Sequence, residues 1–367
     1  MGLTAGIVGL PNVGKSTLFN AITKAGALAA NYPFATIDPN VGVVEVPDER
    51  LDKLTELVKP KKTIPTIFEF TDIAGIVKGA SQGEGLGNKF LSHIREVDAI
   101  VQVVRAFDDE NVTHVDGNVD PIRDIETINL ELIFADLEVV EKRIPKILKK
   151  AQLKVDQDSV FEYEVLKKIH DHLMDNMPIR TVKLADTELA VIKNFNFLTY
   201  KPMLYVANII EDEINDYENN EYIKIIKEFA KRENSEVVVI SAKIEAELSE
   251  LDVEEKEMFL EELGITVSGL EKLIVRSYDL LGLETYFTAG PQEVRAWTFK
   301  KGMKAPACAG IIHTDFEKGF IRAETIKYDD LIKFGGEQGA KEAGKARLEG
   351  KDYVVQDGDV MHFRFNV

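Results

Sequence analysis

A glycine-rich segment near the start of the sequence constrains this chain more than any other feature. The pattern G-x-x-x-x-G-K-[ST] is matched in full by residues 9–16, GLPNVGKS. A short apolar segment at 4–9 predicts a buried strand before it, and the spacing at 16–23 predicts a helix after it. Glycines let the backbone wrap around phosphate oxygens, which a helix N-terminus also attracts. The segment therefore predicts a nucleotide-phosphate site in an α/β domain.

The residue types in this segment suit specific contacts with a nucleotide. Lys15 is predicted to reach the β- and γ-phosphates, and the Ser16 hydroxyl is predicted to bind Mg²⁺. Asn12 is a candidate ligand for a monovalent cation beside the phosphates, although the turn preference of asparagine also explains it. The residues of this segment predicted to bind nucleotide are Asn12, Val13, Gly14, Lys15, Ser16 and Thr17.

Strand-like and helix-like segments alternate after this loop. Buried strands are predicted at 41–46, 66–71, 99–104, 203–207 and 237–240. The alternation favours a mostly parallel sheet wound on both faces by helices. About a hundred residues without strand signals separate the last two strands from the others. The apolar residues in this intervening stretch recur at helical spacing, which predicts an inserted helical hairpin.

Charge and cysteine content restrict the class of function. The chain has 45 Lys and Arg against 63 Asp and Glu, a net charge of −18, which argues against a general electrostatic grip on nucleic acid. Residues 283–367 hold 13 basic and 13 acidic side chains, so the whole excess of acidic residues lies in 1–282. This change in charge composition predicts a domain boundary. A single cysteine, Cys308, and the lack of a signal-like or membrane-spanning segment predict a cytoplasmic protein.

Two further segments are typical of nucleotide switches. Asp72-Ile73-Ala74-Gly75 ends a predicted strand; Asp72 is expected to hold Mg²⁺ through water, and the Gly75 amide to sense the γ-phosphate. Thr36, in the loop at 31–40, is the candidate second hydroxyl on Mg²⁺, with a plain turn residue as the alternative. This switch pair disfavours a small-molecule kinase, for which the sequence also offers no obvious arginine cluster on a closing lid.

The residue after Gly75 is Ile76, which cannot orient an attacking water as a glutamine would. We therefore expect slow intrinsic hydrolysis, or a water positioned by another group. His114, in the polar loop after the strand at 99–104, is the candidate catalytic residue beside Lys15, although a solvent-exposed loop histidine explains it as well. The missing glutamine also keeps open a binding scaffold whose hydrolysis is incidental.

The segment after the predicted strand at 203–207 is expected to read the base. Guanine-specific proteins carry Asn-Lys-x-Asp there, whereas this chain has Asn208-Ile209-Ile210-Glu211. The extra methylene of Glu211 displaces its carboxylate, so two-point pairing with guanine should fail. An asparagine amide suits the donor and acceptor of adenine. ATP is therefore predicted over GTP, with a guanine-specific switch as the alternative.

The turn after the last predicted strand completes the predicted nucleotide site. Ser241 and Ala242 follow the strand at 237–240, where a backbone contact to the base is usual. A plain strand end is the alternative explanation. From this segment and the one before it, the residues predicted to bind nucleotide are Asn208, Ile210, Glu211, Ser241 and Ala242.

Together these segments resemble the Obg-like ATPase (YchF) family of translation-factor-related P-loop proteins. The shared stretches also include 72–89, 286–290, 293–298 and 313–322, and the resemblance extends over essentially the whole chain. It implies a Ras-like, Obg-related P-loop NTPase domain at 1–128 and 201–282. It also implies an inserted coiled-coil hairpin at 129–200 and a small β-grasp-like TGS domain at 283–367.

The resemblance carries functional expectations as well. It implies an ATPase that prefers ATP and associates with the ribosome, through the large subunit or the whole particle, in translation or stress responses. It implies potassium-stimulated hydrolysis, which suits Asn12, and catalysis by a loop histidine, which suits His114. No membrane and no specific DNA are expected as partners, and a monomer is expected.

The C-terminal segment, taken by itself, predicts a small mixed sheet packed on a helix. It has no constellation of titratable groups for catalysis. Lys300, Lys301 and Lys304 with Trp297 are a candidate RNA contact by charge and stacking. A solubilising loop is the alternative explanation for these three lysines.

Overall fold

Two units make up the fold of this chain. The computed structural model describes residues 3–26, 40–73, 86–110, 112, 117–153 and 156–366. The first unit consists of Met1–Val43 and Glu69–Leu273, and the second of Val44–Phe68 and Ile274–Val367. Among the helices that the structure describes, none is both long enough and apolar enough to cross a bilayer.

A six-stranded sheet forms the centre of the first fold, with strands and helices numbered along the whole chain. Its strands are β1 (Thr4–Gly9), β2 (Val41–Glu45), β4 (Ile67–Asp72), β5 (Ala99–Arg105), β6 (Met203–Asn208) and β7 (Glu236–Ile240), in the order β2-β4-β1-β5-β6-β7. β1 pairs in parallel with β4 and β5, and β6 with β5 and β7. All residues of β5 and β6 are buried, as expected for parallel strands covered on both faces. The predicted α/β fold with a mostly parallel sheet is confirmed.

Helices connect these strands and form the insertion. They are α1 (Lys15–Gly26), α3 (Leu86–Glu96), α4 (Pro121–Gln152), α5 (Gln157–Met174), α6 (Asp186–Ile192), α7 (Glu221–Arg232), α8 (Ala242–Leu248), α9 (Val253–Glu262) and α10 (Gly269–Leu280). The last of these extends past the division between the units.

The predicted helical insertion is built on α4 and α5. Apolar side chains of both helices share one buried cluster, which contains Val140 and Ile147 of α4 and Leu166 and Ile169 of α5. α4 begins at Pro121, eight residues before the predicted start of the insertion at 129. The Asp120 side chain caps this end by accepting a hydrogen bond from the Arg123 amide, and Pro121 occupies the first turn, both of which favour a helix start.

The second unit is a mixed six-stranded sheet covered on both faces. Its strands are β3 (Thr63–Ile64), β8 (Leu283–Ala289), β9 (Val294–Lys300), β10 (Phe320–Lys327), β11 (Arg347–Glu349) and β12 (Asp359–Phe365), in the order β11-β10-β12-β8-β9-β3. Its helices are α2 (Glu49–Val58), α11 (Ala305–Ile312), α12 (Thr314–Lys318), α13 (Tyr328–Lys333) and α14 (Glu337–Glu342).

Residues 44–68 belong to this second unit, which the predicted boundary at 283 does not include. Leu51 and Leu54 of α2 are buried in a cluster with Phe287 and Val294 of the sheet. β3 pairs in parallel with β9. The segment therefore supplies one helix and the edge strand, because the apolar face formed by β8 and β9 needs a covering layer.

Candidate nucleotide-binding site

The phosphate loop connects β1 to α1 through two left-handed backbone positions. Asn12 has φ of 64° and Gly14 has φ of 94°. A Cβ added at Gly14 would lie 2.2 Å from Nδ2 of Asn208. Gly14 is therefore required both by its dihedral angle and by the close approach of a neighbouring side chain.

The N-terminal turn of α1 is suited to anions. It contains no acidic side chain, and Ser16 and Thr17 are exposed there. The free amide groups and the helix dipole favour negative charge at such an end. Ser16 and Thr17 thus lie where a bound phosphate and its metal ion are predicted.

Asp72 is placed beside the phosphate loop by strand register. β1 and β4 pair in parallel so that Ile7 lies opposite Asp72, and both strands end at the same edge of the sheet. Nζ of Lys15 forms an ion pair with Oδ1 of Asp72. The structure therefore brings together Lys15 and Asp72, which sequence reasoning took from motifs 57 positions apart.

The oxygen groups at this edge fit a magnesium ion. Mg²⁺ prefers oxygen ligands and usually combines one or two protein groups with phosphates and water. The Ser16 hydroxyl and the Asp72 carboxylate are of that type. No cluster of three or more His, Cys, Asp or Glu side chains suited to a metal occurs within the described ranges, so a dedicated protein cage is not found there. The P-loop fold thus implies Mg²⁺ shared with the nucleotide.

Asn208 braces the two loops of the predicted site. Its Nδ2 donates to the carbonyl oxygen of Val13 at 2.9 Å, and its Oδ1 accepts from the Ala242 amide at 2.9 Å. The side chain is 5% exposed. The structure thus brings Val13, Asn208 and Ala242 together. The Asn208 side-chain amide bonds to the phosphate loop and to the turn after β7, whereas the sequence predicted that it would contact adenine.

Glu211 lies at the start of the short 3₁₀ turn Glu211–Glu213 after β6. Its carboxylate pairs with Nζ of Lys243, and this hydrogen bond raises the pKa of Lys243. Ile209 is 2% exposed whereas Ile210 is 37% exposed. Ile210 and Glu211 are therefore the accessible members of the segment. Sequence reasoning noted the Ser241-Ala242-Lys243 run but did not assign Lys243 a role.

Ser241 directly follows β7, between the end of that strand and the start of α8. It is 1% exposed, and its Oγ has no hydrogen-bond partner within the described part of the chain. A buried hydroxyl without a partner is costly unless a ligand or water completes it. The contact of Ser241 and Ala242 with a base stays a prediction.

Arg105 is a structural residue of the site that sequence reasoning missed. It ends β5, and its guanidinium donates to the carbonyl oxygens of Phe107, Val112 and Asp109 at 3.0, 2.8 and 3.2 Å. It is 2% exposed. An arginine at the end of a fully buried strand was the available signal. Buried cations need such partners, and these bonds hold Phe107, Asp109 and Val112 beside the end of β5.

Four residues of the predicted switch and catalytic machinery lie outside the described residues. They are Thr36, Gly75, Ile76 and His114. Their assigned roles stay predictions.

Comparison with known proteins agrees with this geometry. Residues 4–136 match the MMR_HSR1 family, described as "50S ribosome-binding GTPase", and residues 283–366 match YchF-GTPase_C, described as "Protein of unknown function (DUF933)". The Ribosome-binding ATPase YchF of Bacillus subtilis (strain 168) is 70% identical over 367 residues, covering 100% of both chains. Its namesake from Haemophilus influenzae is 59% identical with the same coverage.

A solved structure agrees as well. It is titled "Structure of the Schizosaccharomyces pombe YchF GTPase" and superposes with a TM-score of 0.90 at 43% identity, covering 99% of this chain and 98% of the other. The phosphate loop, the Asn208–Glu211 segment and the full-length relatives all agree. The chain belongs to the YchF family of P-loop nucleotide-binding proteins.

Proposed function

We propose that this protein is an ATP-hydrolysing switch that associates with the ribosome. The single observation that carries the ATP preference is the segment after β6, where Glu211 occupies the position at which guanine-specific proteins have aspartate. Its carboxylate pairs with Lys243, and its extra methylene displaces it from the position that two-point pairing with guanine requires.

The names of relatives support the proposal unevenly. The bacterial relatives are named ribosome-binding ATPases, whereas the fission yeast structure is titled a GTPase. The names agree on a nucleotide-hydrolysing protein and differ on the base. The base preference therefore depends on the Asn208–Glu211 segment and needs a direct measurement.

Calorimetric titration of the purified chain with ATP and with GTP, each with Mg²⁺, tests this. We expect at least a tenfold preference for ATP, about 1.4 kcal/mol. Glu211→Asp should narrow that preference, because the shorter carboxylate reaches the position that guanine needs. Equal or tighter binding of GTP by the unmodified chain would contradict the proposal.

Two further variants sharpen the measurement. Lys243→Gln removes the partner of Glu211 without changing the base-reading carboxylate, and it serves as the matched control for Glu211→Asp. Ile209→Lys, which together with Glu211→Asp would recreate the guanine motif, places an ammonium at a position only 2% exposed. Burying an unpaired charge is costly, so Glu211→Asp alone is the cleaner variant.

The hydrolytic cycle proposed here uses residues from several segments. The phosphates would be held by the loop amides and Lys15, and Mg²⁺ by Ser16, Thr36 and Asp72. The ion would neutralise charge on the transferred phosphoryl group. We propose that His114 positions the water in place of a glutamine, that Gly75 senses the γ-phosphate, and that Asn12 supports stimulation by potassium.

The proposal extends to organisation and location. We propose a nucleotide-binding domain at 1–128 and 201–282, a helical insertion at 129–200 and a TGS domain at 283–367 that residues 44–68 complete. We propose that the protein acts as a monomer in the cytoplasm, in translation or stress responses. Sedimentation with ribosomes in the presence of ATP, and with the nucleotide omitted, tests the association.

A further inference from the structure

A strongly acidic segment of the first unit folds into the helix α9. Residues 245–262 contain nine acidic residues and one lysine, and α9 lies within them. The Asp252 carboxylate accepts a hydrogen bond from the Glu255 amide at 2.9 Å, and the Glu255 carboxylate accepts one from the Asp252 amide at 3.1 Å. This reciprocal cap fixes where the helix begins. Helical periodicity then sets the face on which each later side chain lies.

A shallow groove of about 530 Å³ runs along one face of α9. Glu255, Met258, Phe259 and Glu262 are spaced by three and four residues, so they share that face. The full lining combines three apolar side chains with three carboxylates; these are Leu251, Met258, Phe259, Glu255, Glu261 and Glu262.

The apolar part of the groove has an anchored floor and one free side chain. Leu251 and Phe259 are half-buried and pack against the buried side chains of Leu248 and Leu260. Met258 is 70% exposed. A flexible methionine beside a fixed apolar floor is suited to an incoming apolar side chain, and grooves of this kind bind amphipathic helices.

Two carboxylates of the groove have no cation as a partner. Lys256, the one lysine of the segment, pairs with Glu271 of α10 at 2.9 Å. Glu255 takes part in the helix cap. The side chains of Glu261 and Glu262 form no hydrogen bond or ion pair with any residue that the structure describes. The groove therefore combines an apolar floor with uncompensated negative charge.

This charge determines which partner fits the groove. Nucleic acid and anionic bilayers are repelled by unpaired carboxylates, whereas a basic surface is attracted to them. α9 has ten residues and is about 15 Å long, which matches two to three turns of a docked helix. A second copy of the chain is disfavoured, because two copies with a net charge of −18 each repel one another.

We propose that this groove binds a basic amphipathic helix of a partner protein. Apolar side chains of that helix pack on Leu251, Met258 and Phe259, and its lysines or arginines face Glu261 and Glu262. Helices that dock in grooves present apolar anchors at positions i, i+3, i+4 and i+7. The inference goes beyond nucleotide hydrolysis and ribosome association and depends on neither.

The test is fluorescence anisotropy of the full chain with a labelled eighteen-residue peptide of leucine and lysine, with the leucines at that helical spacing. Met258→Ser should weaken binding at least about fivefold, because an apolar contact is lost. Val253→Ser is the matched control, since Val253 is on the same helix and 73% exposed but does not line the groove. It should bind within about twofold of the unmodified chain.

A second pair of variants tests the charge. Glu261→Gln/Glu262→Gln should weaken binding about tenfold at low salt, and the difference should shrink as salt screens the attraction. The loss caused by Met258→Ser should persist at high salt, because apolar burial does not depend on charge. Glu96→Gln/Glu164→Gln makes the same charge change at exposed positions on α3 and α5 and should bind within about twofold of the unmodified chain.

Several results would overturn the proposal. One is failure of the unmodified chain to bind the helical peptide. Another is equal binding of a peptide of the same composition with leucine and lysine alternating, which cannot form an amphipathic helix. Equal losses in the two double variants would mean non-specific attraction to an acidic chain.

The remaining measurements address folding and a second copy as the occupant. Thermal midpoints and ATP affinity of Met258→Ser should match those of the unmodified chain, because the side chain is exposed and outside the nucleotide site. Analytical ultracentrifugation of the chain without peptide should show no self-association through the groove. Self-association that Met258→Ser abolishes would assign the groove to a second copy and overturn the proposal.

Discussion

At the scale of single residues, the candidate site depends on two residues, one for its side-chain hydrogen bonds and one for having no side chain. Asn208 bonds to both the phosphate loop and the turn after β7. Gly14 leaves the space that the Asn208 amide occupies. The distance between the two loops is therefore set before a nucleotide binds across them, because the hydrogen bonds of Asn208 hold both loops in place.

Asn208→Asp is expected to destabilise the protein by about 1–3 kcal/mol and to weaken nucleotide binding. Aspartate still accepts from the Ala242 amide, but an oxygen then faces the carbonyl of Val13 in a buried position. Urea denaturation and calorimetric titration measure the two effects. Asn194→Asp, at an exposed position, is the control; equal stability of the two variants would refute the bracing role.

Motif spacing predicted which segments of the chain form the candidate site. The phosphate loop, Asp72 and the Asn208–Glu211 segment lie at the ends of strands of one sheet, as expected, whereas Thr36, Gly75 and His114 lie outside the described residues and their roles stay predictions. The sequence could not predict the Asn208 brace or the Lys243 partner of Glu211, because each depends on a pairing between separate loops. Arg105 was missed since its partners are backbone carbonyls, which leave no trace in residue type.

At the scale of elements, the long helix α4 is anchored by a buried carboxylate. Asp136 accepts hydrogen bonds from the Leu198 amide at 2.9 Å, the Thr199 amide at 2.8 Å and the Thr199 hydroxyl at 2.7 Å. It is 1% exposed. Burial raises the pKa of Asp136 to about 6 although these donors act in the opposite direction. The anchor joins the insertion to the 3₁₀ turn that precedes β6.

This anchor predicts a pH dependence of stability. The folded pKa of about 6 lies above the ordinary value of 3.8, so the folded state holds the proton more tightly. The contribution of Asp136 is fully present below about pH 4 and is lost as pH rises through 6. The difference in unfolding free energy between the unmodified chain and Asp136→Asn should therefore fall by about 3 kcal/mol over that interval.

Urea denaturation at a series of pH values measures this difference. Glu164→Gln makes the matching carboxylate-to-amide change at an exposed position on α5, and its difference from the unmodified chain should stay flat. A difference for Asp136→Asn that grows with pH would mean that the carboxylate is stabilised in the fold, contrary to the expectation.

At the scale of the whole molecule, the two units are interleaved in sequence. Periodicity predicted α2 and the C-terminal strands separately but could not predict that they pack together, since an apolar helix face does not specify its partner. Burial of Leu51 and Leu54 against β8 and β9, and the bond from the Val294 amide to the Lys62 carbonyl at 3.0 Å, make residues 44–68 part of the second unit.

A fragment experiment follows from this packing. Residues 283–366 alone should show no cooperative thermal transition, because their apolar cluster loses the side chains of α2 and their sheet loses the edge strand β3. Residues 44–68 joined through a flexible linker to 274–366 should restore the transition, and Leu54→Ala in that fusion should cost about 2–5 kcal/mol. Circular dichroism on heating measures each. Cooperative melting of 283–366 at the midpoint of the fusion would refute the role of α2.

The interleaving also orders events during synthesis. α2 leaves the translating ribosome roughly 240 residues before β9, and at usual elongation rates that interval is on the order of 12–50 s. Throughout it, Leu51 and Leu54 lack the sheet on which they finally pack. The apolar face of α2 is therefore without its packing partner for most of the elongation of the chain. We expect molecular chaperones to bind the nascent chain at this segment.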